Sequence, residues 1–191
     1  MGDIWFTSDT HYGHANIIMY DKRPFASVEE HDAALIERFN AVVKPGDVVY
    51  HLGDFGFYKR VEQVEAVLAQ LHGQKHHLYG NHDRDPVNRA KGWASQESYR
   101  ELKVDIGEER RKKIVLCHYP LLTWNGAHHG SWHLHGHCHG TLRAPETTRL
   151  DVGVPCWDYS PINLEMVRSW MAERQYAVVD QHKDRSMPED A

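Results

Sequence analysis

Five short apolar runs in this chain end alike. Ile4–Ser8 is followed by Asp9-Thr10-His11, Asp47–Leu52 by Gly53-Asp54, and His76–Tyr79 by Gly80-Asn81-His82-Asp83. Lys113–Cys117 is followed by His118, and His133–His135 by Gly136-His137-Cys138-His139. Runs of this length and content read as strands. Leu150–Val154 is a sixth, and Leu102–Ile106 a less regular seventh. Helical signals lie between and after them. Ser27-Val28-Glu29-Glu30 is a capping box, and Ala34, Leu35, Phe39, Val42 and Val43 continue it as an apolar face that Pro45-Gly46 stops. Val61, Val64, Val67, Leu68 and Leu71 form a second stripe ending at Gly73. A third helix is predicted to start at Ser160-Pro161, with proline at the first helical position, and to run through Leu164, Val167, Trp170 and Met171.

Strands alternating with helices predict an α/β layered fold. The 191 residues suit one domain with a real core; it is placed at residues 1–180, with the polar 181–191 read as a frayed tail. In open α/β sheets, ligands bind beyond the carboxyl ends of the strands. Five strand ends therefore deliver Asp, Asn or His to one edge. Turn chemistry explains the Asp and Asn. It does not explain histidine at four of the seven positions Asp9, His11, Asp54, Asn81, His118, His137 and His139.

Composition narrows the choice of function. The 16 histidines are the unusual number, since imidazole is the commonest metal ligand. With 22 Lys+Arg against 27 Asp+Glu, the formal charge of −5 argues against tight nonspecific binding of duplex nucleic acid, which rests on neutralising phosphates. No apolar run approaches a membrane span. Met1–Phe6 lacks the basic region of a secretory signal, and Phe6 stands where a myristoylation pattern wants Ser or Thr. The three cysteines, odd in number and without a C-x-x-C, predict neither a disulfide framework nor a cysteine zinc knuckle, so a reducing cytoplasm is the expected compartment.

The Asp/Asn/His set suits a pair of divalent ions. Two metals about 3.5–4 Å apart need an anionic bridge and mixed nitrogen and oxygen ligands. Neutral imidazole suits Mn, Fe, Zn, Co or Ni. A water between two cations loses a proton readily and becomes a nucleophile near neutral pH, while the same cations neutralise phosphoryl oxygens.

Asp9-x-His11, Gly53-Asp54, Gly80-Asn81-His82-Asp83, His118 and Gly136-His137-x-His139 together resemble the signature of the calcineurin-like metallophosphoesterase superfamily, in order and in approximate spacing across residues 9–139. The stretch Phe6–Ile18 is similar to small single-domain members from bacteria and their phages. The resemblance implies a four-layer α/β/β/α sandwich with a dimetal site at the sheet edges. It implies Asp9, His11 and His139 on one metal, Asn81, His118 and His137 on the other, and Asp54 between them. It implies two divalent ions, manganese first, with iron, zinc, nickel or cobalt as alternatives. His82 would not ligate but would stabilise or protonate the leaving oxygen, with Asp83 orienting it. An extended backbone would let both members of each Asp9-x-His11 and His137-x-His139 pair face the metals.

Arg84 and Asn81 are the candidate substrate contacts, with His14, Asn16, Lys59, Arg60, Trp124 and Asn125 further afield, and Tyr58, Trp124 and Trp132 as rings that could stack a base. The expected function is hydrolysis of a phosphoester, with a phosphodiesterase favoured because His82 is there to protonate a poor leaving group. The alternatives are a phosphomonoesterase, a nuclease on nucleic-acid ends, and a metal-bound protein-binding scaffold without catalysis. No membrane partner is expected, and oligomeric state is left open.

Overall fold

The computed structural model describes residues 2–142, 147–177 and 179. The expected tail at 181–191 lies outside them.

Two sheets stack face to face. The first holds β1 (Ile4–Thr7), β2 (Val48–His51), β3 (Gln74–Leu78), β4 (Trp93–Glu97) and β9 (Ile162–Asn163), in the order β4-β3-β2-β1-β9. Its first four strands are parallel and β9 runs antiparallel to β1. The second holds β5 (Tyr99–Val104), β6 (Lys112–Cys117), β7 (Trp132–His135) and β8 (Arg149–Asp151), in chain order. Here β5 and β6 are antiparallel, while β6, β7 and β8 are parallel.

Side-chain alternation sorts the cores. Phe6, Tyr50, Leu52 and Leu78 face Ile114, Leu116, Leu134 and Leu150 between the sheets, all buried. The neighbouring residues Trp5 and Val49 point the other way. They pack under α2 (Val28–Val42) and α3 (Val61–Leu68), whose Leu35, Phe39, Val64, Val67 and Leu68 are buried against them. Ser27 caps the helix as expected, its Oγ accepting from the Glu30 amide at 3.2 Å, while Glu30 reaches back past the cap to the Ala26 amide at 2.7 Å. The outer layer of the second sheet is thinner. Trp124 and Ala127, at a 3-10 turn over Ala127–His129, cover Val115.

Two expectations shift. Pro161 does not open a helix: Asn163 caps α5 (Leu164–Met171), with its side chain accepting from the Met166 amide at 2.9 Å. Pro161 instead precedes the two-residue β9. The less regular strand at Leu102–Ile106 lies at Tyr99–Val104, and Ile106 is buried beyond its end. Two short helices, α1 (Ala15–Tyr20) and α4 (Asp85–Arg89), and the polar strand β4 carry no clear sequence signal.

Among the described residues, no helix is long and apolar enough to cross a membrane. The three cysteines are free.

Candidate metal centre

The carboxyl ends of β1, β2, β3, β6 and β7 meet at one edge of the sandwich. The loops after β1 and β2 are zipped together: the Asp9 amide donates to Gly53 O, His11 to Asp54 O and Tyr12 to Phe55 O, at 2.9–3.0 Å. The Ser8–Gly153 bridge ties the same edge to the chain beyond β8.

Asp9, His11, Asp54, His137 and His139 all sit at positive φ, between 48° and 70°; among the described residues, only three other non-glycine positions do so. The extended geometry expected for Asp9-x-His11 and His137-x-His139 is therefore not what aims these side chains. Left-handed kinks aim them instead. A non-glycine residue in that region costs on the order of 1 kcal/mol or more and persists only where surrounding contacts hold it.

The donor atoms converge. His11 Nε2 is 3.4 Å from His139 Nε2 and 3.7 Å from Asp54 Oδ2. His118 Nε2 is 3.6 Å from the same Asp54 oxygen, so Asp54 lies between the two imidazoles. His139 Nε2 is 3.4 Å from Asp9 Oδ1. Asn81 Oδ1 is 2.9 Å from His118 Nε2 and 2.8 Å from His137 Nδ1. Two groups could each hold a metal ion: Asp9, His11 and His139, and Asp9, Asp54 and His118. Every expected ligand is in this cluster.

The hydrogen-bond roles make the site a fit for cations. His118 Nδ1 must donate to Leu52 O, 2.7 Å away, which leaves Nε2 facing another acceptor, Asn81 Oδ1. His139 Nδ1 donates to Asp21 Oδ2 at 2.6 Å, so its Nε2, facing His11 Nε2 and Asp9, is the atom left to take either a proton or a metal ion. Acceptors facing acceptors need a cation between them. Gly80 and Gly136 are small for the same reason, since a Cβ at either would collide with the Asp54 or Asp9 carboxylate.

The chain's own charges strain the cluster. Burial, aided by Asp9 and Asp83 and opposed by the His82 amide, pushes the Asp54 carboxyl up to about 7. Burial disfavours charge on His139, yet its bonds to Asp21 and Asp9 outweigh this and lift it to about 10. Burial drives His11 down to about 2.

His82 is exposed at the mouth, its ring centroid 5.5 Å from that of His11 and 5.7 Å from that of Phe57, and its amide donates to Asp54 Oδ1 at 2.8 Å. His14 stacks on Phe57 at 4.3 Å, and the Arg84 guanidinium lies 5.0 Å over the same ring. Asp83 does not act as expected on the His82 ring. Its carboxylate accepts from the Asp54, Phe55 and Gly80 amides and from His77 Nε2, at 2.8–2.9 Å, so it fixes the backbone of two loops. His77 is buried flat against Trp93, 4.6 Å between centroids.

Several more distant candidates are spent elsewhere. Tyr58 donates to Asp32, Asn125 to Glu101, and Trp124 to Ser131 O; Trp124 and Trp132 are both buried. Lys59, Arg60 and Asn16 are exposed. Tyr119 stands at the site without having been singled out in the sequence: it is exposed, with its ring 5.0 Å from His118 and 4.9 Å from His137. The sequence reading also passes over Asp21, Arg23, His31 and Asp32. They form a partly buried chain of hydrogen bonds behind His139 and Asp9, and no local spacing marks them.

Known proteins of the same kind match along most of the chain. It is 32% identical over 174 residues to an uncharacterized protein of Methanocaldococcus jannaschii, covering 87% of this chain and 90% of that one. It is 29% identical over 187 residues to the Gene 66 protein of Mycobacterium phage L5, covering 82% and 88%. A crystal structure of a protein of unknown function from Aquifex aeolicus superposes with a TM-score of 0.69 at 23% identity, over 89% of this chain and all of that one, and so shares the fold. The family model for the calcineurin-like phosphoesterase superfamily domain matches residues 3–155, which span all seven candidate ligands as well as His82 and Asp83. The chain belongs to the calcineurin-like phosphoesterase superfamily.

Proposed function

We propose that the protein is a metal-dependent phosphodiesterase that takes two divalent ions, manganese first among them. The observation that carries this reading is the placement of Asp54 Oδ2 between His11 Nε2 and His118 Nε2, at 3.7 and 3.6 Å. One carboxylate oxygen in reach of both imidazoles suits an anion shared by two cations. In this reading Asp9, His11 and His139 hold one ion, and Asn81, His118 and His137 the other. When bound, the ions supply charge neutralisation for the phosphoryl oxygens and a water acidic enough to attack phosphorus near neutral pH.

The chain's own groups do the rest. Asp9 accepts from the His137 amide, Asp54 from the His82 amide, and the His118 and His139 rings bond Leu52 O and Asp21, so much of the site is ordered before substrate arrives. His82, tethered by its amide to Asp54, hands its ring proton to the departing oxygen. Arg84, stacked on Phe57 beside it, meets the non-attacked phosphoryl oxygens. The alkoxide leaving group of an unactivated phosphodiester is a poor one, and a proton donor at the open mouth serves it.

Hydrolysis of bis-p-nitrophenyl phosphate and of p-nitrophenyl phosphate, each with added Mn²⁺, tests the reading. Preference for the diester is expected. Preference for the monoester overturns the diesterase assignment, and hydrolysis of neither with any divalent ion overturns the enzyme.

A further inference from the structure

Arg23 is buried, at 4% exposure, and all five of its N–H groups are met. Nε donates to Asp21 Oδ2 at 3.2 Å, and Nη2 to the same oxygen at 3.0 Å and to the Asp9 carbonyl at 2.9 Å. Nη1 donates to the Thr10 carbonyl at 3.0 Å and to His31 Nε2 at 2.9 Å. His31 can accept there because its Nδ1 donates to Asp32 Oδ1 at 2.8 Å; Asp32 Oδ2 in turn accepts from the Gly13 amide and from Tyr58. On the other side, Asp21 Oδ2 accepts from His139 Nδ1.

The arrangement joins two remote loops. The guanidinium grips the carbonyls of Asp9 and Thr10, within the left-handed kink that aims Asp9 and His11. Through Asp21 it also sets the ring of His139, which comes from the loop after β7. A planar fork of five donors matches this set of acceptors, and the three donors of a lysine would not. Asp9, His11 and His139 are the three groups assigned above to one ion. Asn81, His118 and His137 make no hydrogen bond to this pair.

Resting on the metal reading above, we propose that Asp21 and Arg23 are positioning residues for one of the two metal sites, the one made by Asp9, His11 and His139. Asp21 holds the proton of His139 on Nδ1, so that Nε2 presents a lone pair. D21N weakens this directly: the one oxygen that accepts from both Arg23 and His139 Nδ1 becomes a neutral amide oxygen, which holds the His139 proton on Nδ1 less firmly and leaves Nε2 a poorer metal ligand. A carboxylate behind a ligating imidazole is typically worth about ten- to a hundredfold in metal affinity.

The test is titration of the metal-free full chain with Mn²⁺ alone, followed by calorimetry and by electron paramagnetic resonance, which tells a lone Mn²⁺ from a coupled pair. The parent is expected to bind two ions. D21N is expected to bind one as the parent does and the second about ten- to a hundredfold more weakly, so that the coupled-pair signal appears only at higher Mn²⁺. D21E, which restores a carboxylate, is expected to recover part of the loss. R23K, checked for folding by circular dichroism, is expected to weaken the same site. A D21N chain that binds both ions like the parent overturns the proposal, as does one that weakens both sites equally. A parent that binds no Mn²⁺ overturns the metal reading itself.

Discussion

His11 and His139 point their Nε2 atoms at each other across 3.4 Å, though 128 residues separate them in the chain. His139 Nδ1 donates to Asp21, so its Nε2 is the atom in the gap that takes a proton or a metal ion. The pairing is unfavourable for the chain alone and favourable once a cation lies between. The expectations below follow from that reading and from the loops that enforce it.

His82 is held over the cluster by its amide and is not among the converging donor atoms. His82→Ala is therefore expected to lower turnover by about 10²-fold or more, the ordinary contribution of a proton donor, with metal content near that of the parent. Turnover on bis-p-nitrophenyl phosphate and elemental analysis of the same sample check this. A variant that has lost its metal shows His82 to be a ligand.

Asp83 accepts from three backbone amides and His77. Asp83→Ala leaves those donors unmet, at about 1–3 kcal/mol for each one that stays buried. Urea unfolding is expected to show a loss of about 3 kcal/mol or more, larger than that of Asp83→Asn. A loss below about 0.5 kcal/mol contradicts the structural role.

At Gly80 a methyl group would overlap the Asp54 carboxylate and amide. Gly80→Ala is expected to cost about 1–3 kcal/mol in stability, as overpacking does, and to weaken Mn²⁺ uptake by displacing Asp54. Melting and titration curves that superpose on the parent's would show that the loop has room to spare.

His133 is fully buried, and its neutral ring donates from Nδ1 to Val115 O while Nε2 accepts from the Leu121 amide. Burial, with His135 beside it, lowers it from 6.5 to about 3. In the window between those values the unfolded chain takes up the proton and the folded one does not, so acid favours unfolding. This stability is whole above about 6.5 and is lost at on the order of 1 kcal/mol per pH unit below it. Denaturant unfolding of the parent and of His133→Gln from pH 7.5 to 5 checks the sign: the parent's advantage shrinks as pH falls. An advantage that is constant or growing contradicts it.

What could be read from sequence was what local chemistry dictates. The apolar runs that became β1, β2, β3, β6 and β7, and the Gly-Asp, Gly-Asn-His and Gly-His punctuation after three of them, announced both the sheets and the edge where the site forms. Ser27 and Glu30 announced α2. Strand β4, Trp93–Glu97, did not announce itself, because an edge strand reading Trp-Ala-Ser-Gln-Glu has no alternation to detect. Asn163 outcompeted Ser160-Pro161 as a helix start because its side chain reaches the Met166 amide. The left-handed kinks at Asp9, His11, Asp54, His137 and His139 are imposed by contacts between loops, such as the Asp9 amide on Gly53 O, and L-residues give no local sign of them. Arg23 is illegible for the same reason: its five hydrogen bonds go to Asp9, Thr10, Asp21 and His31, in three separate places in the chain.

The central claim is that Asp54 is shared by two cations, and counting metal per chain tests it most directly. The parent and Asp54→Ala are each stripped, reloaded with Mn²⁺, desalted and analysed by inductively coupled plasma mass spectrometry. The account predicts about two ions per parent chain, a dinuclear site of the known type, and a clear loss in the variant. A parent that retains none, or an Asp54→Ala chain that retains as much as the parent, contradicts it.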